Sequence, residues 1–236
     1  TQKARVAVQD FNRQAKVVDG ERQLLVKKVI FSPSSTMLEI ELILPSEWEQ
    51  PGRTDPEADD IRFQLITDQG VMLDATGQTS QGNFDGDPTL VKANYMPVSR
   101  IPSYVVVKPV IVDMDVPSFA MEGELAQLPN TLSYGTDTRL QVIRFDYLSD
   151  KTVAHFEIKE TKPEVDPYEL ARSFRLKDAQ GNMVLCSGPP VRENEGTYQY
   201  RMDFPPVKVE DGWQAVAYVR EEIKAIESLQ VKIPLE

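Results

Sequence analysis

The stretch Ile61-Arg-Phe63-Gln-Leu65-Ile-Thr-Asp68-Gln69-Gly70-Val71-Met-Leu73 decides the fold. Its first residues alternate apolar and polar side chains, the period-two pattern of a half-buried strand. Asp68-Gln69-Gly70 turns the chain, and Val71-x-Leu73 resumes the alternation. The phrase then returns. Phe63-x-Leu65-x-x-x-Gln69-Gly70 recurs 111 residues later as Phe174-x-Leu176-x-x-x-Gln180-Gly181. Upstream, Val29-x-Phe31 followed by Thr36-Met37-x-x-Ile40-Glu41-Leu42 recurs 116 residues later as Phe145-x-Tyr147 followed by Thr152-Val153-x-x-Phe156-Glu157-Ile158. The two spacings differ across the acidic loop around Pro51 to Asp60, where length varies most freely. Order, polarity and spacing agree over most of each half, which reads as a duplicated domain.

The surrounding pattern is also β. Gln14 to Val18, Asp19-Gly20 and Leu24 to Ile30 read as a hairpin on a type I′ turn, for which Asp-Gly supplies the positive φ angles. Tyr104 to Val107 and Val110 to Val112 are β-branched runs suited to a buried strand. In the second half, Arg139 to Tyr147, Val153 to Lys159, Phe174 to Lys177, Met183 to Cys186 and Tyr198 to Phe204 are the matching strands. Many short strands between turn signals predict an immunoglobulin-like sandwich. The expected fold is therefore all-β: two tandem immunoglobulin-like β-sandwich modules arising from an internal duplication. The expected boundaries are 1–128 for the first module, 129–135 for the linker and 136–236 for the second. Pro117 to Tyr134 reads as the connection. Pro167 to Arg172 fits a short helical turn with Pro at its first position. Ala215 to Leu229 is rich in helix formers, but Trp213-x-Ala215-x-Ala217-x-Val219 alternates, and a strand is favoured.

Composition narrows the chemistry. The chain has 236 residues, 41% of them hydrophobic, enough for a real core. Lys+Arg 26 against Asp+Glu 37 gives a net charge of −11, with both halves acidic. Such a surface repels phosphate backbones and anionic lipid, so no nucleic-acid partner is expected. One Cys excludes an internal disulfide, and one His excludes mechanisms that need two imidazoles. No stretch approaches the roughly 18 consecutive apolar residues of a membrane-spanning helix. The chain opens at Thr1 with neither Met nor a signal-peptide pattern. The expectation is either a cytosolic protein that has been trimmed or one from which a targeting or membrane segment has been cut away.

The phrase Val26-Lys-Lys-Val-Ile-Phe-Ser-Pro-Ser-Ser-Thr-Met-Leu-Glu-Ile40, followed by Phe63-x-Leu65-x-x-Asp68-x-Gly70, resembles the extracytoplasmic domains of Gram-positive membrane proteins that are anti-sigma-factor-like or of unknown function. The resemblance implies tandem β-sandwich modules outside the cell, preceded by a short cytoplasmic segment and one transmembrane helix. It implies no catalytic residues. The cytoplasmic anti-sigma segment is not in this sequence.

Each chemical candidate has a plainer structural reading. His155 aligns in the repeat with Glu39 on an alternating strand, and an outward-facing strand residue outweighs a general base. No Gly-x-Ser-x-Gly elbow and no phosphate-binding glycine loop occurs. Cys186, in Val184-Leu185-Cys186, reads as a small buried hydrophobe rather than a nucleophile. Asp55, Glu57, Asp59 and Asp60 form a carboxylate cluster, but Trp48 and Trp213 are too few and too separated for a sugar platform. Asn83, Asp85 and Asp87 place oxygen donors at alternate positions, as calcium requires. They lack the sixth-position Gly and closing Glu of an EF-hand, so a solvated loop outweighs a metal site. Tyr198, Tyr200 and Arg201 are the interaction candidates, Tyr and Arg being enriched at interfaces; cross-strand packing of the tyrosines is the competing reading.

These readings combine into one expectation. The chain is a non-enzymatic extracytoplasmic sensory or interaction region of a membrane-anchored protein, on the cell-surface side of a Gram-positive membrane. It has no cofactor, no catalytic residues and a protein or cell-envelope ligand. It meets the membrane only through a segment outside this sequence. The alternatives are a structural spacer or adhesin-like stalk and, less well supported, a carbohydrate-active cell-wall enzyme.

Overall fold

Along Thr36–Ile43 every second side chain is buried, because successive Cβ atoms of a strand point to opposite faces. That alternation organises the whole molecule. The computed structural model describes residues 8–11, 15–45, 61–82, 86–112, 119–125, 127–161, 165–194, 196–207, 212–219 and 223–235. Among the described residues the chain is all-β, built of antiparallel sheets, with one short α-helix at Pro167–Arg172. It divides into two compact units, residues 1–114 with 224–236 and residues 115–223.

Unit 1 holds β1 (Gln9–Phe11), β2 (Ala15–Asp19), β3 (Arg22–Phe31), β4 (Thr36–Ile43), β5 (Ile61–Thr67), β6 (Ala75–Gln81), β7 (Thr89–Tyr95) and β8 (Tyr104–Val112). From the far end of the chain come β18 (Ile223–Ala225) and β19 (Val231–Pro234). One sheet runs β3-β4-β7-β6, with β1 and β2 pairing successive parts of β3. The other is centred on β8, with β5 along one side and β19 along the other; β18 also pairs β8. Leu24, Val26, Leu38, Ile40 and Val91 of the first sheet share one core with Phe63, Leu65, Val105, Val107 and Ile233 of the second. Two sheets that bury their facing sides in a common core make a β-sandwich.

Unit 2 holds β9 (Phe119–Glu124), β10 (Asn130–Tyr134), β11 (Thr138–Tyr147), β12 (Thr152–Glu160), α1 (Pro167–Arg172), β13 (Arg175–Lys177), β14 (Met183–Val184), β15 (Val191–Arg192), β16 (Gln199–Phe204) and β17 (Gln214–Val219). Its sheets run β10-β11-β12-β16-β15 and β14-β13-β17-β9. Aromatic rings fill this core: Phe156 stacks on Phe174 at 4.7 Å between centroids, and Tyr200 and Phe204 pack about 6 Å from one or other of them. The helix starts where Asp166 Oδ1 accepts from the Tyr168 and Glu169 amides, at 2.7 and 3.2 Å, with Pro167 at the first helical position.

Both units carry a bulge in the second strand pair. The β3/β4 register shifts between Val26 and Lys28, and the β11/β12 register between Val142 and Arg144. Both close a hairpin on glycine. The Thr67 amide donates to Val71 O at 2.9 Å with Gly70 at φ +75°, and the Asp178 amide donates to Asn182 O at 3.0 Å with Gly181 at φ +87°. A side chain bearing a Cβ is strained at such φ, so both turns take glycine.

Three expectations change. The boundary between the units is not at 128. Residues 119–134, read as a connection, form β9 and β10 of unit 2, because Met121 and Leu132 are buried in its core. The chain end does not belong to the second module: Leu229, Ile233 and Leu235 are buried in unit 1. The first hairpin turns on Gly20-Glu21, with Asp19 and Arg22 as its last paired residues, so Asp19 is a strand residue rather than a turn residue. The strand reading of Ala215 to Leu229 holds for β17 and β18, followed by a 3-10 turn at Glu227–Leu229.

Candidate functional site

The single imidazole sits in the most elaborate polar cluster described in the chain. On β12, Thr152, Ala154, Phe156 and Ile158 face the core, so His155 faces away from it. An outward residue at the centre of a sheet is ordinarily open to solvent, yet His155 is only 6% exposed. Its neighbours explain this. The bulge at Val142/Arg144 places Arg144 beside His155 across the β11/β12 ladder, and Asp146 follows two residues on, on the same face. On the other side Arg201 of β16 is the register partner of His155, and Val191 of β15 is the partner of Arg201. Glu193, just past β15, reaches back over the ring.

The contacts form a clamp. His155 Nε2 lies 2.9 Å from Asp146 Oδ2, and Nδ1 lies 3.1 and 3.2 Å from the two Glu193 oxygens. Arg144 Nε bonds Asp146 Oδ1 at 3.2 Å, and its Nη2 lies 3.3 Å from Nε2 and 3.5 Å from Nδ1 of the ring. That nitrogen is roughly equidistant from both ring nitrogens and is aimed at neither lone pair. A neutral imidazole donates through one nitrogen only, whereas carboxylates only accept. Both carboxylate contacts are therefore hydrogen bonds at once only with the imidazolium. The Arg144 guanidinium bonded to Asp146 holds that carboxyl below the usual carboxylate range; partial burial opposes this and the His155 contact assists it.

This arrangement ties β11, β12 and the segment after β15 to one another. Both ring nitrogens are occupied by side chains of the same unit, and Cys186 packs on the core side of the sheet rather than beside the ring. Among the described residues no group of three or more His, Cys, Asp or Glu side chains is placed to hold a metal ion. Of the calcium candidates, Asn83 and Asp85 lie outside the described residues and Asp87 is exposed. The carboxylates of Asp55, Glu57, Asp59 and Asp60, and Trp48, also lie outside them. Trp213 packs against the core of unit 2.

The three interaction candidates separate. Tyr200 is fully buried, stacked with Phe156 and 6.2 Å from Tyr168, so it belongs to the core and not to a binding face. Tyr198 is half-buried against the same core. Arg201 is exposed on the opposite face of the sheet, next to His155. The cation over the two tyrosines is Arg192, 4.9 Å from the Tyr198 ring and 5.5 Å from the Tyr200 ring, with Nη2 donating to the Tyr200 hydroxyl at 3.1 Å. Alternation put both tyrosines on one side; that side is the inside.

The surface that sequence reading missed is apolar. On the segment from β14 to β15, Val184 and Cys186 pack inward, while Met183 and Leu185 point out, Leu185 at 71% exposure and the highest among the exposed large hydrophobics. Val191 is exposed on β15. The available signal was the alternation Met183-x-Leu185, which shows two outward apolar side chains only once Val184 is known to face in. No protein-family model and no curated protein matches the chain. The crystal structure of a conserved domain protein from Bacillus anthracis is similar over 97% of this chain and 92% of its own, at 10% identity and a TM-score of 0.28, a level that supports no argument about this chain.

Proposed function

We propose that the chain is a non-enzymatic interaction region made of two immunoglobulin-like modules that descend from one, carried on the outer side of a Gram-positive membrane by a segment outside this sequence. Support for the duplication lies in the register. The bulges at Val26/Lys28 and Val142/Arg144, and the pairs Lys28 with Glu39 and Arg144 with His155, recur at the 116-residue spacing of the sequence repeat. The two glycine turns recur at its 111-residue spacing. The strand orders β2-β3-β4-β7-β6 and β10-β11-β12-β16-β15 run in parallel. The cellular placement rests on the resemblance of Val26 to Ile40 and Phe63 to Gly70, and the non-enzymatic reading on the engagement of the one imidazole by two carboxylates of its own unit.

The observation that carries the interaction reading is the exposure of Met183, Leu185 and Val191 along the segment from β14 to β15 of unit 2. Three large apolar side chains open to water within one short segment favour a protein partner over a solvated surface. A photo-crosslinking residue at position 185 in the full-length protein, in its own cells, tests this. A discrete adduct, lost in Met183→Asp and absent with the same probe at Gln78 of β6, is the expected result. Adducts equal at both positions sink the reading. The spacer alternative is disfavoured by chain order: residues 115–223 are inserted between two pieces of unit 1. Tension along the chain is then borne by the β8–β19 ladder before it reaches unit 2.

A further inference from the structure

The outer edge of the β8 sheet in unit 1 is closed by a strand that reaches it only after the whole of unit 2 has intervened. In unit 2 the equivalent edge of β17 is closed by β9, which enters directly ahead of β10. Both pairings are antiparallel: Val231 to Pro234 pair with Val107 to Tyr104, and Phe119 to Glu124 pair with Val219 to Gln214. Unit 1 thus receives in β19 the strand that unit 2 takes from its own upstream chain.

The attachment has a readable code. Ile233 and Leu235 are buried and Val231 packs half-buried against the same core, so alternate residues of Val-x-Ile-x-Leu enter the sandwich. Lys232, on the other face, lies with Nζ 3.4 Å from the centre of the Tyr104 ring. The Leu235 amide donates to Ser103 O and the Ile226 amide to Pro109 O, both at 2.9 Å, and Lys108 pairs with Glu227 at 2.8 Å. Every one of these partners belongs to unit 1. The site therefore reads the sequence of the strand and not the chain it comes from, and the same strand from another molecule makes the same contacts.

We propose that the β8 edge of unit 1 is a strand-acceptor site for a Val-x-Ile-x-Leu segment, and that the C-terminal strand of a second copy of this chain occupies it in reciprocal exchange. This goes beyond the interaction reading above and uses a different surface in a different unit. The balance between closed monomer and exchanged dimer is then set by chain concentration against the effective concentration of the tethered strand.

The test uses two full-length preparations with different affinity tags, mixed at high concentration and passed briefly through partial denaturation before capture on one tag. Both carry Val106→Cys and Lys232→Cys, an outward-facing register pair, on a Cys186→Ser background. Oxidised before mixing, the pair ties β19 to its own β8; reduced, it leaves β19 free. Mixed-tag pairs in the reduced sample, at least tenfold fewer in the oxidised sample and restored by reductant, are the expected result. No mixed-tag pairs in the reduced sample overturns the proposal, and so do mixed-tag pairs that persist undiminished when oxidised. Because both arms use one protein, a folding defect is not mistaken for the answer: the reduced sample must first give the same circular dichroism as the parent chain.

Discussion

The centre of the outer sheet face carries opposite chemistry in the two units on matching backbones. In unit 1 Glu39 of β4 sits between Lys28 of β3 and Lys92 of β7, with Lys92 Nζ at 3.8 Å. Lys28 turns to Asp10 at 2.8 Å. These are half-exposed ion pairs of the kind worth about 0–1 kcal/mol. In unit 2 the centre is His155, flanked by Arg144 and Arg201, and two carboxylates meet the imidazole. The bulge that aims position 144 is present in both units, so it is part of the scaffold. The clamp is made by side chains that unit 1 lacks at the matching positions. A feature specific to one copy is a better candidate for a specific role than a feature common to both, and the comparison can be pressed by mutation.

The largest difference should come from the cores. Ile40 occupies in unit 1 the place of Phe156 in unit 2, at the repeat spacing of 116, and both are fully buried. Phe156→Ala removes the middle of an aromatic stack and is expected to cost unit 2 about 3–5 kcal/mol; Ile40→Ala costs unit 1 about 2–5 kcal/mol. Hydrogen exchange read peptide by peptide checks both, since it reports the opening free energy of each unit separately. A Phe156→Ala loss of protection shared equally by β3 and β4 would show that the units unfold as one.

Next in size is the chain end. Ile233→Ala is expected to destabilise unit 1 by about 2–4 kcal/mol, with exchange rising along β5 and β8 while β12 and β16 stay protected. Met121→Ala, on the matching strand β9, should give the mirror result. If Ile233→Ala instead loosens β17 first, the assignment of β19 to unit 1 fails.

Smaller again is the clamp. His155→Ala empties a buried position and removes the imidazole donor facing Glu193, while Asp146 keeps its bond from Arg144, so the loss should exceed that of Glu39→Ala. Glu39→Ala, on an exposed pair, should cost under about 1 kcal/mol. Exchange should rise at residues 191–199 in His155→Ala, because Glu193 ties that segment to β12. Equal small effects at 39 and 155 would reduce the clamp to an ordinary surface pair.

These contrasts also show what was legible in the sequence. The alternation in Ile61 to Leu65 and Met37 to Leu44 and the Gln-Gly turns are local signals, and each has a counterpart in strand or turn. The destination of β19 is not local. Val231-x-Ile233-x-Leu235 announces a strand with one apolar face, but both units bury aliphatic side chains and nothing in those residues names one of them. The burial of His155 is likewise non-local. It depends on a bulge that brings Arg144 and Asp146 to its side, and on Glu193 arriving from a connection 38 residues away. Tyr200 shows the remaining gap: alternation tells which residues share a face, and only the second sheet tells which face is inside.

The smallest effect separates the units by acid. Asp68, Asp178 and Asp146 have carboxyls held below their ordinary range. For Asp68 the leading cause is the Ser103 backbone amide, followed by the Ser103 hydroxyl; for Asp178 it is the Asn182 side chain; for Asp146 it is the Arg144 guanidinium. A carboxyl whose folded pKa lies below its unfolded value binds its proton more readily in the unfolded chain. Its contribution is therefore complete above the unfolded value, near 4, and is lost as the pH falls through the lower folded value. Urea midpoints should hold steady from neutrality down to about pH 5 and fall below it, and Asp68→Asn and Asp178→Asn should each flatten the fall. Salt then discriminates between causes. The bonds to Asp68 come from neutral donors at 2.9 and 2.7 Å and should withstand it. Asp146 faces a guanidinium at a half-exposed site, where salt screens the attraction. High salt should therefore erase the acid sensitivity that Asp146→Asn removes while leaving that of Asp68 in place. If both disappear together, the depression at Asp68 comes from long-range charge, with Arg100 the nearest contributor, and not from the two bonds to Ser103.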